Sequence, residues 1–244
     1  MTKINLFCLP FAGGSLYSYR GYIENAPEHV NVVPLDLPGR GTRVRETLLT
    51  NIHDMVNDIY GQIKNRLNEP YAIYGHSMGS LIGYLLTKKI IKNGQNAPEY
   101  LILTGCIGPS LAEFNHDVPK HDLPKPEFIQ KLKELGGSPD EVLENEQLLN
   151  FFEAIIRADF QATENYRYEE SEPLNVPILV IIGLEERATY EQALAWQKET
   201  TEPIEVIQMT GKHFFIFDHV VEIMDIISKR LKQLSHYERS AKIS

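Results

Sequence analysis

The sequence predicts an α/β fold: a mostly parallel central sheet with helices on both faces. Along the chain, short apolar runs of the kind that form buried strands alternate with longer amphipathic stretches. Alternating strands and helices indicate a parallel sheet covered on both sides. The chain has 244 residues, of which 43% are hydrophobic, and this is enough to bury a full core. We therefore expect one domain spanning residues 1–244.

Six apolar runs have the length and composition of buried strands. They are Ile4–Leu9, Val30–Leu35, Tyr71–Tyr74, Leu101–Thr104, Ile178–Ile182 and Ile204–Met209. Helical spacing appears between them in "NIHDMVNDIYGQIKNRL" and again after Ser77, and a closing helix is expected from about Val220 to Leu234. These elements account for most of the chain.

One interval is too long for a simple connection. About 70 residues separate Thr104 from Ile178, whereas connections of 2–6 residues are usual in α/β units. Two helical stretches, "KPEFIQKLKELGG" and "NEQLLNFFEAIIRADF", lie within it. We predict a helical lid at about 110–172, placed over the carboxyl ends of the strands, where open α/β sheets bind ligands. An inert helical decoration is the alternative.

Charge and cysteine content narrow the possible partners. The formal net charge of −9 argues against nucleic acid and anionic membrane surfaces, so a small molecule or a protein is expected. No apolar stretch approaches membrane-spanning length, and the first one is too short for a signal peptide. Cys8 and Cys106 have no metal-binding or redox spacing and are interpreted as reduced core thiols. We expect a cytoplasmic protein.

The stretch "YGHSMGS" contains a G-x-S-x-G motif at the end of a predicted strand and the start of a predicted helix. Such a turn holds its serine in a strained conformation with the hydroxyl exposed, and the flanking glycines let strand and helix approach closely. A serine that merely caps the helix is the alternative, but a cap needs no glycine on either side. We therefore predict Ser77 as a nucleophile.

A serine nucleophile needs a base, and in this architecture the histidine follows the last strand. His213, in "MTGKHFFIFDH", follows the sixth apolar run and precedes the closing helix. His219 lies where that helix begins and is expected to be a capping or surface residue. His76, next to the serine, is interpreted as a packing or loop-stabilising residue. We predict His213 as the base.

The acid of the triad should follow a strand between the serine and the histidine. "ILVIIG" is followed by "LEERATYEQALAW", in which Glu185 and Glu186 are the acids immediately after the strand. The preceding strand ends without a carboxylate. A glutamate can orient the imidazole if its loop retreats by about one methylene. We favour Glu186 over Glu185, although both could form an exposed acidic turn with Arg187.

The remaining requirement is an oxyanion hole built from backbone N–H groups. One donor is expected from Met78, directly after the nucleophile, and the other from the loop after the first strand, "LPFAGGS". In that loop we assign Ala12, with Phe11 as the second choice. The same loop lacks the glycine spacing and the lysine of a phosphate-binding loop.

Six segments together resemble one protein family. "CLPFAGGS", "LPGRGTR", "YGHSMGS", "LGGSPDEVLENEQLL", "RADFQATENYRY" and "GKHFFIF" are similar to segments of the type II thioesterases associated with non-ribosomal peptide and polyketide synthetases. The resemblance runs from Leu6 to about Leu234 and implies the α/β-hydrolase fold. By that likeness Ser77 is the nucleophile and His213 the base. The family's acid is usually aspartate in a G-x-x-D pattern, which in "GLEE" falls on Glu186.

The resemblance also implies an activity and a partner. Such enzymes hydrolyse stalled or wrongly primed acyl or aminoacyl groups from the phosphopantetheine arm of acyl or peptidyl carrier proteins, with no metal and no cofactor of their own. A carrier protein is acidic too, so we expect an apolar contact with local basic groups. Candidates are Lys120, Lys125, Lys131 and Lys133. A small-ester carboxylesterase and a catalytically silent α/β-hydrolase that serves as a binding module remain the alternative functions.

Overall fold

The strands and helices follow the predicted order along the chain. The computed structural model describes residues 3–111, 118–136 and 145–241, with side chains described as far as residue 233. The strands are β1 (Ile4–Leu9), β2 (Val30–Pro34), β3 (Tyr71–His76), β4 (Tyr100–Thr104), β5 (Ile178–Gly183) and β6 (Glu205–Met209). The helices are α1 (Arg20–Glu24), α2 (Ile52–Ile63), α3 (Met78–Lys92), α4 (Lys125–Leu135), α5 (Glu146–Glu164), α6 (Tyr190–Leu194) and α7 (Val220–Ala241).

All six strands pair in parallel, in the order β2-β1-β3-β4-β5-β6. The prediction of a parallel sheet is therefore confirmed. Since parallel strands run in one direction, the segments that follow β1, β3, β5 and β6 all emerge at the same edge of the sheet. The predicted functional residues lie in those four segments.

Both faces of the sheet are buried, which explains why its strands are apolar throughout. In β1, Phe7 and Leu9 pack into a core with α2 and α3, while Leu6 and Cys8 pack into a second core with α7. Successive strand residues point to opposite faces, so each strand contributes to both cores. The sheet is thereby fixed from two sides, and the loops at its edge have a rigid base.

Helices α4 and α5 lie between β4 and β5, within the segment predicted as a lid, at about 110–172, which we call the lid segment. They have a small apolar cluster of their own, formed by Phe128, Leu132 and Ile156. An asparagine side chain caps α5: the Asn145 oxygen accepts from the N–H groups of Gln147 and Leu148. The middle of the predicted "LGGSPDEVLENEQLL" motif, 137–144, lies outside the described residues.

Candidate active site

Ser77 occupies a strained turn between β3 and α3. Its φ of 52° and ψ of −116° make it the one non-glycine residue with positive φ within the described ranges. A Cβ atom on Gly75 would lie 2.2 Å from the Gly79 carbonyl oxygen, and one on Gly79 would lie 2.9 Å from the Leu9 oxygen. Both glycines are thus required by the close approach of α3 to the strands, and the turn raises the serine above them.

Hydrogen bonds to the neighbouring strand hold this turn in place. The Ser77 N–H donates to the Thr104 carbonyl at 2.8 Å. The Ser80 hydroxyl, fully buried one helical turn later, donates to the carbonyls of Gly75 and Thr104 at 2.9 and 3.0 Å. Such a network fixes the strained backbone, because the surrounding bonds outweigh a local conformational cost of about 1–3 kcal/mol.

Glu186 and His213 meet across two loops. The His213 Nδ1 lies 2.8 Å from Oε2 of Glu186, whose other oxygen accepts the Gly183 N–H at 2.7 Å. The glutamate side chain therefore folds back over the end of β5. With the acid side chain 3% exposed and the histidine 20% exposed, the pair is shielded while Nε2 remains free to face a substrate.

The loops that carry the acid and the histidine are also joined through their backbones. The Leu184 N–H donates to Met209 O at 2.7 Å, and the Glu185 N–H donates to Gly211 O at 3.0 Å. The Glu185 side chain is exposed and makes no hydrogen bond with the described residues. Arg187, the expected partner of an acidic turn, instead lies 4.0 Å from Glu134 of α4. The geometry thus separates the two glutamates, which the sequence left as alternatives.

In the loop after β1, the N–H groups of Gly13 and Gly14 are already occupied. Gly13 donates to Asp159 Oδ2 and Gly14 to Phe11 O, each at 2.8 Å. The N–H groups of Phe11 and Ala12 have no acceptor among the described residues. The two donors named from the sequence are therefore the ones that this loop leaves free, and both residues line the same cavity as Ser77.

His76 packs directly against His213, a contact that the sequence interpretation did not anticipate. The two ring centroids are 4.7 Å apart, and the His76 Nδ1 lies 3.0 Å from the Thr104 hydroxyl. Burial, and secondarily the charge of His213, hold the pKa of His76 well below its ordinary value. A neutral ring at this position supports His213 without competing for its proton. His219, by contrast, bonds to Thr210 and Glu222 at the start of α7.

A cavity of about 920 Å³ opens above the sheet edge and contains Ser77, His213 and Glu186 in its walls. The lid segment forms the opposite wall with mostly apolar side chains, including Leu132, Leu149, Phe152, Ile156 and Phe160. Cys106 also lines it, but burial raises the pKa of its thiol to about 12. A thiol with that pKa is protonated at neutral pH, and the protonated form is a poor nucleophile.

Three of the four lysines considered for partner contact are paired within the chain. Lys120 lies 3.0 Å from Glu164, Lys125 lies 3.2 Å from Glu153, and Lys131 lies 2.8 Å from Glu134. Lys133 on α4 is exposed and has no ion pair with the described residues. It is the lysine of this set whose charge is available to another molecule.

The residues that the structure describes contain no group of three or more His, Cys, Asp or Glu side chains close enough to hold a metal ion. No helix in these ranges combines the length and the apolar character needed to cross a bilayer.

Comparison with known proteins gives consistent matches over nearly the whole chain. A family model described as a thioesterase domain matches residues 4–231. The gramicidin S biosynthesis protein GrsT of Aneurinibacillus migulanus is 32% identical over 232 residues, covering 95% of this chain and 90% of that protein. The thioesterase PikA5 of Streptomyces venezuelae is 26% identical, covering 94% and 82% of the two chains.

Solved structures agree with these sequence matches. ClbQ, from the colibactin non-ribosomal peptide and polyketide pathway, superposes with a TM-score of 0.90 at 31% identity, covering 97% of this chain and all of that one. The type II thioesterase BorB, from the borrelidin cluster, gives 0.85 at 29% identity, with 94% and 93% covered. The expected α/β-hydrolase fold is thereby confirmed.

Proposed function

Because this chain belongs to the thioesterase family, we propose that it hydrolyses acyl or aminoacyl thioesters on the phosphopantetheine arm of carrier proteins. The resemblance to type II thioesterases drawn from the sequence motifs is confirmed, and the relatives include proteins of peptide and polyketide pathways. In this role the protein would remove misplaced acyl groups from a synthetase in the cytoplasm. The arm belongs to the substrate, and the reaction uses no metal or cofactor of the enzyme.

One observation supports the proposal most directly. A strained serine, a histidine–glutamate pair and the unoccupied N–H groups of Phe11 and Ala12 all lie at one cavity. In this proposal Ser77, in its strained turn after β3, supplies the oxygen nucleophile, and His213 lies in the loop after β6 with its Nδ1 bonded to Glu186. A protein that only bound its ligand would need none of these features together.

The first half of the reaction acylates the serine. Nε2 of His213 accepts the proton of Ser77 as its oxygen attacks the thioester carbonyl carbon, and Glu186 stabilises the imidazolium through Nδ1–H. The N–H groups of Met78 and Ala12 hold the oxyanion of the tetrahedral intermediate. The carbon–sulfur bond then breaks, and His213 gives the proton to the departing pantetheine sulfur.

The second half releases the acid. Water enters the site vacated by the thiol, and His213 removes one of its protons as the oxygen attacks the acyl carbon. Collapse of the second intermediate breaks the ester bond and returns the proton to Ser77. His213 therefore acts as base and then as acid in both steps, and Ser77, the nucleophile of the first step, is the leaving group of the second.

The apolar lid segment provides room for the acyl group and a route for the arm. A cavity of about 920 Å³ is much larger than an acetyl group, and sites of this size bury drug-sized ligands. Carrier proteins are acidic, and this chain has a net charge of −9. Docking therefore depends on apolar contacts and on local cations such as Lys133, rather than on a broadly attractive field.

The test compares an acyl group on a phosphopantetheinyl carrier protein with the same acyl group on free N-acetylcysteamine. We expect a clear preference in kcat/KM for the carrier-bound substrate. Ser77→Ala should reduce kcat on both substrates by about 10⁶-fold, as removal of a triad nucleophile does. Folding of the variant is checked by circular dichroism.

The other outcomes have definite meanings. Equal turnover of the carrier-bound and free thioesters, together with faster hydrolysis of a soluble ester, would indicate a carboxylesterase. Slow turnover that does not depend on Ser77, with tight binding of the acylated carrier, would indicate a binding module and refute the catalytic proposal.

A further inference from the structure

A buried carboxylate in the lid segment forms an ion pair with the loop after β2 and a hydrogen bond with the loop after β1, residues 10–15, which we call the oxyanion loop. Asp159 of α5 is fully buried, and Arg40, in the loop after β2, is 2% exposed. The two Arg40 terminal nitrogens donate to the two Asp159 oxygens, both at 2.6 Å. Oδ2 of Asp159 also accepts the Gly13 N–H at 2.8 Å. One carboxylate therefore joins three segments that are far apart in the sequence.

A second contact from the same helix face reinforces this connection. Gly13 has a φ of 77°, and a Cβ atom there would lie 2.8 Å from Ile156 Cγ1. Ile156 precedes Asp159 by three residues, so both side chains project from one face of α5 onto the loop. The loop is held at Gly13 by an apolar contact and by a hydrogen bond to a carboxylate.

Stability alone is a weak reason for such a pair. Moving two charges out of water is costly, and replacing a buried ion pair with apolar side chains of similar size is often neutral or stabilising. Burial raises the pKa of the Asp159 carboxyl, while Arg40 and the Gly13 N–H act in the opposite direction. Arg40 Nε is also buried without a hydrogen-bond partner among the described residues. Burying this ion pair costs folding free energy, but it fixes the direction of the Gly13 N–H.

Fixing the direction of the Gly13 N–H also restricts the direction of the adjacent Ala12 N–H. With Gly13 directed at Asp159 and Gly14 directed at Phe11 O, the peptide groups on either side of the turn cannot rotate freely. The Ala12 N–H is left without an internal acceptor next to the cavity. An oxyanion donor works because it is oriented before the charge develops, so a device that orients it affects the transition state more than the ground state.

We propose that Asp159, held by Arg40, is a positioning residue that fixes the oxyanion loop through the Gly13 N–H. It touches neither substrate nor nucleophile. This inference rests on the proposed acyl-transfer function and adds that α5 is part of the catalytic support as well as a wall of the cavity.

The test uses two variants that differ in folding cost. Asp159→Ala leaves the Arg40 guanidinium buried without its carboxylate and should lower both the free energy of unfolding and kcat. The double variant Arg40→Met with Asp159→Leu replaces the pair with apolar groups and should recover stability, but it supplies no acceptor for the Gly13 N–H. Glu199→Gln is the matched control, since Glu199 is also 2% exposed and accepts the Tyr84 hydroxyl elsewhere in the core.

Turnover of a free acyl-N-acetylcysteamine is measured per active serine, counted by fluorophosphonate labelling. In the double variant we expect kcat to fall by about 10- to 100-fold with KM within about twofold, as for partial loss of an oxyanion donor. Affinity for a trifluoromethyl ketone analogue, which forms a tetrahedral adduct with Ser77, should fall in parallel. Glu199→Gln should leave kcat unchanged.

The possible failures are distinguishable. Recovery of the native kcat in the double variant would show that the pair is merely structural and would overturn the inference alone. An unchanged analogue affinity with a raised KM would overturn it as well, because the lost interaction would then be one with the ground state. Turnover that survives Ser77→Ala would overturn the proposed function and this inference with it.

Discussion

The catalytic framework, defined as the loops after β1, β3, β5 and β6, contrasts with the lid segment in how each is stabilised. The framework loops are extensions of strands that are buried on both faces. Backbone hydrogen bonds join the loops after β5 and β6 to each other and the Ser77 turn to β4. The lid helices share a cluster of three buried apolar residues and expose others, including Leu148 and Phe151 at 43% and 44%. Rigidity is therefore concentrated where geometry determines the rate.

The difference shows how one chain can be both rigid and open. A catalytic site must hold its reacting groups within a fraction of an ångström, whereas a cavity wall must let a substrate enter. Separate apolar clusters allow these properties to vary independently, because local stability depends on local burial. The second half of α5 is the exception, since Asp159 bonds to the loop after β1 and Ala162 belongs to the core that contains α2 and α3.

The largest expected effect separates the two adjacent glutamates of the framework. Glu186→Gln should lower kcat by about 10⁴-fold, because an amide in place of the carboxylate leaves His213 in the wrong tautomer. Glu185→Gln is the matched control and should change kcat by less than about twofold, since its side chain is exposed and His213 bonds to Glu186 instead. Steady-state kinetics with a free thioester measure both. A similar loss in both variants would mean that the acid assignment is wrong.

A smaller effect compares glycines of the two regions. Gly75→Ala places a Cβ atom 2.2 Å from the Gly79 oxygen, a backbone contact that no rotamer relieves, and should cost at least about 3 kcal/mol of unfolding free energy. Gly136→Ala, at the end of α4, has open space and only the cost of a φ of 74°, about 1–3 kcal/mol. Urea unfolding measures both variants. Equal losses would contradict the greater rigidity of the framework.

The smallest expected effect is the loss of stability at acidic pH. The buried His76 has a lowered pKa, so the unfolded chain binds a proton below about pH 6.5 that the folded chain does not. As the pH decreases below that value, the free energy of unfolding should therefore decrease by up to about 1.4 kcal/mol per pH unit.

Glu164 of the lid segment titrates at lower pH. Burial raises the pKa of its carboxyl, but His121 and Lys120 together outweigh burial, and the net shift is downward. The stabilising contribution of ionised Glu164 is therefore present above its unfolded pKa of about 4.3 and is lost as the pH decreases below that value.

Urea unfolding at several pH values tests this order of events. Between pH 6.5 and 5, His76→Asn should flatten the decline in unfolding free energy, whereas Glu164→Gln should leave that slope unchanged and alter the curve only at lower pH. A slope that persists in His76→Asn would show that another group titrates in this range.

Much of the molecule could be predicted from local patterns, for identifiable reasons. The six strands follow from apolar runs, because a parallel sheet buried on both faces requires them. The strained turn at Ser77 follows from the two flanking glycines and from its place between strand and helix, and the position of His213 at the same edge of the sheet follows from its place after β6. Boundaries were less certain: the strand predicted to end at Tyr74 continues to His76, and the one predicted to begin at Ile204 begins at Glu205.

Contacts between distant segments were beyond the sequence alone. Glu185 and Glu186 are chemically identical neighbours, and only the tertiary structure brings one of them to His213. Arg40 and Asp159 lie in motifs quoted for the resemblance, and a carboxylate beside Ile155, Ile156 and Ala162 on a buried helix face was a signal that could have been read. The pairing of that carboxylate with Arg40, 119 positions earlier, could not be predicted from the sequence.

The sequence by itself determined the type of fold, the strained turn at Ser77 and the order of the strands along the chain, because these depend on periodicity and on backbone requirements within a few residues. Tertiary structure decided which glutamate pairs with the histidine, which N–H groups remain free for an oxyanion and how the lid segment is attached. Those outcomes depend on distances between segments, and such distances are set only when the two cores pack against the sheet.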